Sequence, residues 1–137
     1  MARWEVNKMY AEYSDKVIEH FMSPQNVGSM VDYDGKGEYG DTRCGDSLTI
    51  YIKVDDGVIE DISFLIFGCT ASIATSSMIT SLAKGKSIEE ALQIKERDII
   101  DALDGLPKNK IHCSVLGVKA LRNAIDDYLN KRGEHRL

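Results

Sequence analysis

The stretch SLTIYIKVDDGVIEDISFLIF, residues 47–67, decides the fold because it indicates two β-strands joined by a tight turn. In residues 47–54, apolar side chains alternate with polar ones, which is the period of a strand with one buried face. Gly57 can take a positive φ in the turn, so residues 58–67 return as the antiparallel partner strand. The apolar residues predicted on one face of the first strand are Leu48, Ile50, Ile52 and Val54.

Helical patterns flank this hairpin on both sides. YSDKVIEHF (13–21) has Ser14 as the N-cap of a short helix, and GKGEYG (35–40) adds a short strand to the sheet. After the hairpin the apolar period becomes that of a helix. The later helices are predicted within residues 69–85, 87–92, 96–107 and 114–132. The fold class is therefore α+β, a small antiparallel three-stranded sheet packed with about five helices.

Composition and charge narrow the classes of function. The chain has 137 residues, of which 43% are hydrophobic and 28% charged, as in an ordinary globular protein. Its net charge of −5 argues against a nucleic-acid partner, because neutralising phosphates requires clustered Lys and Arg. The sequence has neither an apolar run long enough to cross a bilayer nor a targeting signal at its N-terminus. We therefore expect a cytoplasmic protein that does not bind membranes.

The chain divides into a short arm and one domain. Residues 1–12 are polar and irregular, and we expect them to form a flexible N-terminal arm. Residues 13–137 contain no linker or repeat and are predicted to form a single domain. Within it, His20 is expected on the solvent face of the first helix. The Ser/Thr run 75–77 is expected to bond to the backbone of its own helix.

Three cysteines, Cys44, Cys69 and Cys113, lie at the ends of predicted elements. An odd number of cysteines without a signal peptide argues against a disulfide framework. Cys69 and Cys113 each come just before a helix, where the dipole and the unpaired N–H groups favour thiolate. Asp46 lies two residues after Cys44, and His112 is adjacent to Cys113. On residue chemistry alone, a shared metal site and three inert buried thiols are both open interpretations.

Five motifs follow one another along the chain. They are YSDKVIEHF (13–21), CGD (44–46), FGCTASIATSS (67–77), LDGLP (103–107) and KIHCSVLG (110–117). In this order they closely resemble the U-type iron–sulfur cluster assembly scaffolds, the IscU proteins and the N-terminal domain of NifU. The resemblance covers about residues 13–128. It implies the fold predicted above and the role of a scaffold or carrier protein, not an enzyme.

The resemblance also implies a set of cluster ligands. A [2Fe–2S] cluster would be held by Cys44, Cys69 and Cys113, with a fourth ligand from Asp46 or His112. Asp46 matches the family aspartate that is associated with a labile cluster. Iron–sulfur clusters prefer thiolates, so a harder oxygen or nitrogen donor should weaken the hold on one iron and suit a scaffold that must release its cargo. The same set can hold Zn²⁺ tetrahedrally in the isolated apo form.

Partners follow from the same resemblance. A cysteine desulfurase would supply sulfur, an iron donor would supply iron, and apo-proteins would receive the cluster. Cys113 is the expected persulfide acceptor, because its thiolate is activated by a helix and ends a loop (106–113) that can swing. Lys110 matches a lysine that lies beside the site. LPKNK (106–110) departs from the family's LPPVK, which argues against Hsp70 and J-type chaperones as partners.

Other functions stay open on residue chemistry. A zinc-bound sulfur-transfer partner of a cysteine desulfurase would relay persulfide without building a cluster. A zinc hydrolase or deaminase with Asp46 as base is disfavoured, because the H-x-E and P-C-x-x-C motifs of deaminases are missing. An adaptor protein that binds no metal would have to share all five motifs with the scaffold family by chance. His112 and the short interval from Cys69 to Cys113 favour the IscU/NifU branch over SufU. Thr70 replaces the glycine usual after Cys69 and restricts the backbone there.

Overall fold

The computed structural model describes residues 13–41 and 45–131, and the architecture is α+β. Three antiparallel strands lie in the order β1-β2-β3. The strands are β1 (Gly35–Asp41), β2 (Asp46–Asp55) and β3 (Val58–Phe67). The helices are α1 (Asp15–Met22), α2 (Thr70–Ala83), α3 (Ile88–Leu92), α4 (Glu96–Ala102) and α5 (His112–Lys131), with a 3₁₀ turn at Lys108–Lys110.

The predicted fold class is confirmed in the part of the chain that the structure describes. The predicted helices, strands and caps appear there, including the Ser14 N-cap and the capping box of Ser87 and Glu90. The predicted arm (1–12) lies outside the described residues, as does Cys44. Among the described helices, none has both the length and the apolar character that a bilayer crossing requires.

The β2–β3 hairpin forms the centre of the core. Asp56 and Gly57 both have positive φ, 52° and 75°, which makes the two-residue connection a type I′ turn. Ile59 faces Val54, whereas Asp61 faces Lys53, so Glu60 is an extra residue in β3. This bulge changes the alternation of β3 and allows residues three apart to face the core. The fully buried hairpin residues are Leu48, Ile50, Ile52, Ile59, Ile62 and Phe64.

Helix α5 packs directly on the backbone of β1, because β1 presents glycines to it. A Cβ placed on Gly37 would overlap the Ala120 carbonyl oxygen and the Ala124 nitrogen and would lie 2.7 Å from the Asn123 carbonyl carbon. A Cβ on Gly35 would overlap the Ala124 carbonyl oxygen. Each of these α5 atoms belongs to the backbone of the helix. No change of rotamer could therefore relieve the overlap, and the close approach depends on glycine.

Two hydrogen bonds fix α5 along the strand. The Lys36 N–H donates to Asp127 Oδ2 over 2.8 Å, and Asn123 Nδ2 donates to the Glu38 carbonyl over 2.8 Å. Both bonds join backbone groups of the edge strand β1 to side chains of α5. They give partners to a backbone N–H and a backbone carbonyl of β1 that do not pair with β2. They also set the position of the helix along the strand.

Helix α2 is buried on almost every side, and many of its buried side chains carry hydroxyl groups. Thr75 Oγ1 and Ser76 Oγ both donate to the Ser72 carbonyl, over 3.0 and 2.7 Å. The predicted back-bonding within the Ser/Thr run is therefore confirmed for these two residues. The small side chains let neighbouring elements approach the helix closely. The buried hydroxyl residues are Ser72, Thr75, Ser76, Ser77 and Thr80.

The prediction that His20 lies on the solvent face of the first helix is wrong. His20 is half-buried, and its Nδ1 lies 2.7 Å from Ser77 Oγ on α2. The Gln25 N–H donates to the same Ser77 oxygen over 2.8 Å. The Ser77 hydroxyl therefore joins both α1 and residue 25 to α2. The helical pattern of residues 13–21 could not show that α1 packs against a hydroxyl-bearing helix.

We predict that Gly37→Ala lowers the free energy of unfolding by about 3 kcal/mol, because the added methyl group meets helix backbone that cannot rotate away. Gly40→Ala in the same strand is the matched control, since its Cβ would meet only the Asp46 carbonyl oxygen, at 3.4 Å. The control should stay within about 1 kcal/mol of the wild type. Urea unfolding of the three proteins measures the difference, and equal stability of the two variants would contradict the close approach.

We also predict that stability falls as the pH drops below 6.5. Burial lowers the pKa of His20 from its ordinary value of 6.5, with Glu19 opposing and Lys16 adding to the effect. The unfolded chain therefore takes up this proton before the folded chain does. The contribution of His20 is complete above pH 6.5 and is lost as the pH falls toward the folded pKa. Urea midpoints of wild type and His20→Gln across this range test it, and parallel pH profiles would contradict the prediction.

Candidate metal centre

Three elements bring ligand-forming side chains together at one end of the sheet. Asp46 begins β2, Cys69 is the N-cap of α2, and Cys113 lies in the first turn of α5. Ser47 pairs with Phe67 across the hairpin, so the start of β2 lies next to the chain that leaves β3 for α2. One carboxylate oxygen and the two sulfur atoms all lie within 4.8 Å of one another.

The three ligand-forming side chains differ in their exposure to solvent. Cys69 Sγ lies 3.8 Å from Asp46 Oδ2 and 3.9 Å from Cys113 Sγ. Asp46 is 3% exposed and Cys113 is 1% exposed, whereas Cys69 is only half-buried. Cys69 therefore forms the side of the cluster that solvent can reach, and the other two groups form its floor.

The structure corrects the predicted position of Cys113, which lies inside the last helix and not before it. Helix α5 begins at His112, because Ile111 already has helical dihedrals (φ −58°, ψ −34°) after the 3₁₀ turn. The Ser114 N–H and hydroxyl both donate to the Ile111 carbonyl, over 3.1 and 2.7 Å. Thr75 Oγ1 also donates to the Cys113 carbonyl over 3.3 Å. An outward movement of Cys113 therefore requires this turn to unwind.

The remaining predicted site residues are placed less centrally. His112 Nε2 lies 3.9 Å from Cys113 Sγ, but it is not among the atoms that share the 4.8 Å grouping. Lys110 ends the 3₁₀ turn and is half-buried. Cys44 lies outside the described residues. The structure thus brings Asp46, Cys69 and Cys113 together and places His112 beside the last of them.

The environment of Cys69 favours the thiolate. Its pKa is lowered from 9.0 to about 5, chiefly because the Cys113 thiol donates a hydrogen bond to it. Burial opposes this change, the Ser72 hydroxyl and backbone N–H add to it, and the Asp46 charge opposes it. Cys69 is therefore the more nucleophilic thiol of the described pair at neutral pH.

The donor set fits a soft or borderline metal ion. A thiolate and a carboxylate 3.8 Å apart repel each other, and a cation bound between them would remove that repulsion. Thiolate sulfur is the preferred ligand of iron in iron–sulfur clusters and a common ligand of Zn²⁺, which also accepts carboxylate oxygen. The group therefore offers donor types that suit either metal, with Cys69 on the side open to solvent.

Sequence reasoning missed three residues that shape this site. Gly68 leaves the space that the Asp46 carboxylate occupies, Ser72 lowers the pKa of Cys69, and Thr75 holds the backbone of Cys113. Ser72 could have been found, because a hydroxyl residue three positions after a helix N-cap is a common partner of that cap. Gly68 and Thr75 act across the fold, and no local pattern marks them.

The sequence of this chain matches one protein-family model over nearly its whole length. Residues 12–135 match the family model described as the NifU-like N-terminal domain. The chain belongs to this family. One relative in it, the iron–sulfur cluster assembly scaffold protein IscU 1 of Archaeoglobus fulgidus, is 59% identical over 122 residues, which cover 89% of this chain and 80% of the relative. The resemblance noted in the sequence is therefore confirmed.

One further relative and one solved structure are also similar to this chain. The iron–sulfur cluster assembly scaffold protein IscU of Escherichia coli K12 is 48% identical over 124 residues, which cover 88% of this chain and 96% of the relative. A crystal structure of a NifU-like N-terminal protein from Brucella abortus has a TM-score of 0.69, with 92% of this chain and 98% of that chain covered. At 17% identity, this last likeness shows the fold alone.

We predict that Cys69 is alkylated by iodoacetamide as a thiolate well below neutral pH. In a Cys44→Ser background, the rate should rise with pH through an inflection near 5, because that is the pKa expected of Cys69. Adding Cys113→Ala should move the inflection upward, since the main hydrogen-bond donor is lost. Ser72→Ala should move it less. An inflection near 9 in the parent protein would show that the thiols do not interact.

Proposed function

We propose that this protein is a scaffold on which a [2Fe–2S] cluster is assembled and from which it is passed to apo-proteins. The observation that carries the proposal is the convergence of Asp46, Cys69 and Cys113 within 4.8 Å. The chain's relatives are named as iron–sulfur cluster assembly scaffolds, which supports the same role. In this role the cluster is cargo, and the protein acts as a carrier and not as an enzyme.

The proposed ligands are Cys44, Cys69 and Cys113, with Asp46 or His112 as the fourth. Cys69 and Cys113 supply soft sulfur donors from two different helices, and Asp46 supplies a harder oxygen from the sheet. The lowered pKa of Cys69 supports metal binding, because thiolate, and not thiol, is the ligand. The 3.9 Å from His112 Nε2 to Cys113 Sγ keeps the imidazole near enough to take part after a small movement.

Sulfur would arrive as a persulfide from a cysteine desulfurase. A scaffold thiolate attacks the outer sulfur of the enzyme's persulfide, a new S–S bond forms on the scaffold, and the enzyme's cysteine leaves as a thiolate. We propose Cys113 as the acceptor: its thiol first gives its proton to the Cys69 thiolate, 3.9 Å away, and the resulting Cys113 thiolate then attacks. Because Cys113 is 1% exposed, this step requires the turn to open or a neighbouring thiol to assist.

Release of the cluster would depend on the mixed ligand set. An oxygen ligand holds iron less firmly than a thiolate, so the Asp46 side of the cluster exchanges more readily. The proposed partners are a cysteine desulfurase, an iron donor and recipient apo-proteins. Lys108 and Asn109 are exposed in the segment LPKNK (106–110), and their polar side chains argue against Hsp70 or J-type recognition there. The proposed setting is a single domain over residues 13–137 in the cytoplasm.

A second candidate is a zinc-bound protein that relays persulfide without building a cluster. The donor set of two sulfur atoms and one carboxylate oxygen favours it, since Zn²⁺ binds such ligands tetrahedrally. In that case, the thiols would carry sulfur while the metal ordered the site. The two candidates differ in whether acid-labile sulfide accumulates on the protein.

Anaerobic reconstitution tests the proposal. Wild type and Asp46→Ala are incubated with iron, cysteine and a cysteine desulfurase, and iron and acid-labile sulfide are then measured beside the visible spectrum. We predict a sulfide-to-iron ratio near one for both proteins, because a [2Fe–2S] cluster holds equal numbers of each. The cluster of Asp46→Ala should survive several-fold longer, because the nitrogen donor His112 then replaces the weakly held oxygen as the fourth ligand.

One outcome would contradict the proposed scaffold role, and a second would contradict the role of Asp46 in release. Stoichiometric zinc without sulfide, in a protein that still accepts persulfide, would favour the sulfur-transfer candidate. A cluster whose lifetime does not change in Asp46→Ala would remove Asp46 from the release step. Asp126→Ala is a suitable control, since Asp126 is a half-buried carboxylate on α5, several turns beyond Cys113.

A further inference from the structure

Gly68, the residue between β3 and Cys69, lies where two side chains of the candidate metal centre crowd together. A Cβ at Gly68 would overlap the Ser72 hydroxyl and would lie 2.6 Å from Asp46 Oδ1 and 2.8 Å from Asp46 Cγ. Real Cβ atoms do not come so near to other heavy atoms. Asp46 can therefore occupy its present position only because residue 68 has no side chain.

The backbone itself does not require glycine at this position. Gly68 is not among the glycines with positive φ, so an alanine could adopt its backbone conformation without strain. The three nearest atoms that an alanine would meet belong to the side chains of Ser72 and Asp46, not to the main chain. The fold can thus accept the substitution, and the carboxylate and the hydroxyl have to move. This differs from Gly37, where the obstacle is helix backbone.

The direction of movement follows from the surroundings of Asp46. This residue is 3% exposed, and its Oδ2 lies 3.8 Å from Cys69 Sγ. A methyl group on residue 68 would take the place of Oδ1, so the carboxylate would have to rotate about its Cα–Cβ bond. Rotation changes the distance from the carboxylate to the sulfur, and with it the ability of Asp46 to reach a metal that Cys69 holds.

We propose that Gly68 is a positioning residue for Asp46. The missing side chain admits the carboxylate to the space beside Cys69 and so keeps a bound cluster ready for release. This inference rests on the scaffold function proposed above and deepens it. Gly68 supplies no ligand atom, and its effect passes through Asp46.

Ser72 is the second residue that a side chain at position 68 would displace. Its effect on the site can be separated from that of Asp46. Its hydroxyl donates to the Cys69 carbonyl over 2.8 Å and would also be displaced by a methyl group at residue 68. Ser72→Ala removes the hydroxyl while leaving the space for Asp46 unchanged. Any effect that Gly68→Ala shows and Ser72→Ala lacks therefore belongs to the carboxylate.

The experiment compares Gly68→Ala with wild type, Asp46→Ala, Ser72→Ala and the control Asp126→Ala. The first readout uses the apo-protein: the ¹³C NMR signal of the Asp46 carboxylate should shift in Gly68→Ala and stay in place in Asp126→Ala. The second is the lifetime of the reconstituted cluster, which should lengthen several-fold, toward that of Asp46→Ala. A merely damaged fold would shorten this lifetime, so the direction of change identifies a positioning role.

The decisive comparison is between Asp46→Ala and the double variant Gly68→Ala/Asp46→Ala. If Gly68 acts through Asp46, adding Gly68→Ala to Asp46→Ala should leave the cluster lifetime unchanged. An unshifted carboxylate signal, or a further change in the double variant, would overturn the inference. If wild type assembles no cluster, the scaffold function itself fails, and the carboxylate signal still decides the position of Asp46. Should Gly68→Ala be too unstable to study, Gly68→Ala/Ser72→Ala keeps only the conflict with Asp46 and is judged by the same readouts.

Discussion

The contact between the backbone of α5 and the glycines of β1 determines where the other parts of the molecule can lie. Gly35 and Gly37 let the helix rest on the strand without an intervening side chain. Hydrogen bonds from Lys36 to Asp127 and from Asn123 to Glu38 then fix its position along β1. With the helix held in this way, its first turn reaches the end of the sheet where β2 starts and β3 ends. The distance between the two described thiols is thus a consequence of packing far from them.

The candidate metal centre combines a rigid floor with one open side. Asp46 and Cys113 are buried and belong to the sheet and to α5, whereas Cys69 is half-buried and caps α2. The hydroxyl side chains of α2 bond to its own backbone and let both neighbours pack closely. Charge accumulates in this confined space, since a thiolate and a carboxylate lie 3.8 Å apart. Among the described residues, the three donors leave this negatively charged space open on the Cys69 side.

Local patterns in the sequence predicted the elements well, because alternation, caps and turns depend on near neighbours. The strand at residues 47–54, the hairpin turn with Gly57 at positive φ and the Ser14 cap are examples. The motifs also placed Asp46, Cys69 and Cys113 in one predicted site, and the structure brings these three side chains together. Patterns could not reveal the helical conformation of Ile111, the burial of His20 or the crowding at Gly68, since each depends on packing between distant segments.

The pairing of β1 with α5 also has a consequence for the newly made chain. The Lys36–Asp127 bond joins residues 91 positions apart, and α5 is the last element that the structure describes. On the ribosome, the three strands emerge long before the helix that covers β1 and part of β2. Until then, an apolar sheet face stays in contact with water, where other nascent chains can reach it. The length of that exposure is set by the speed of translation and not by the speed of collapse.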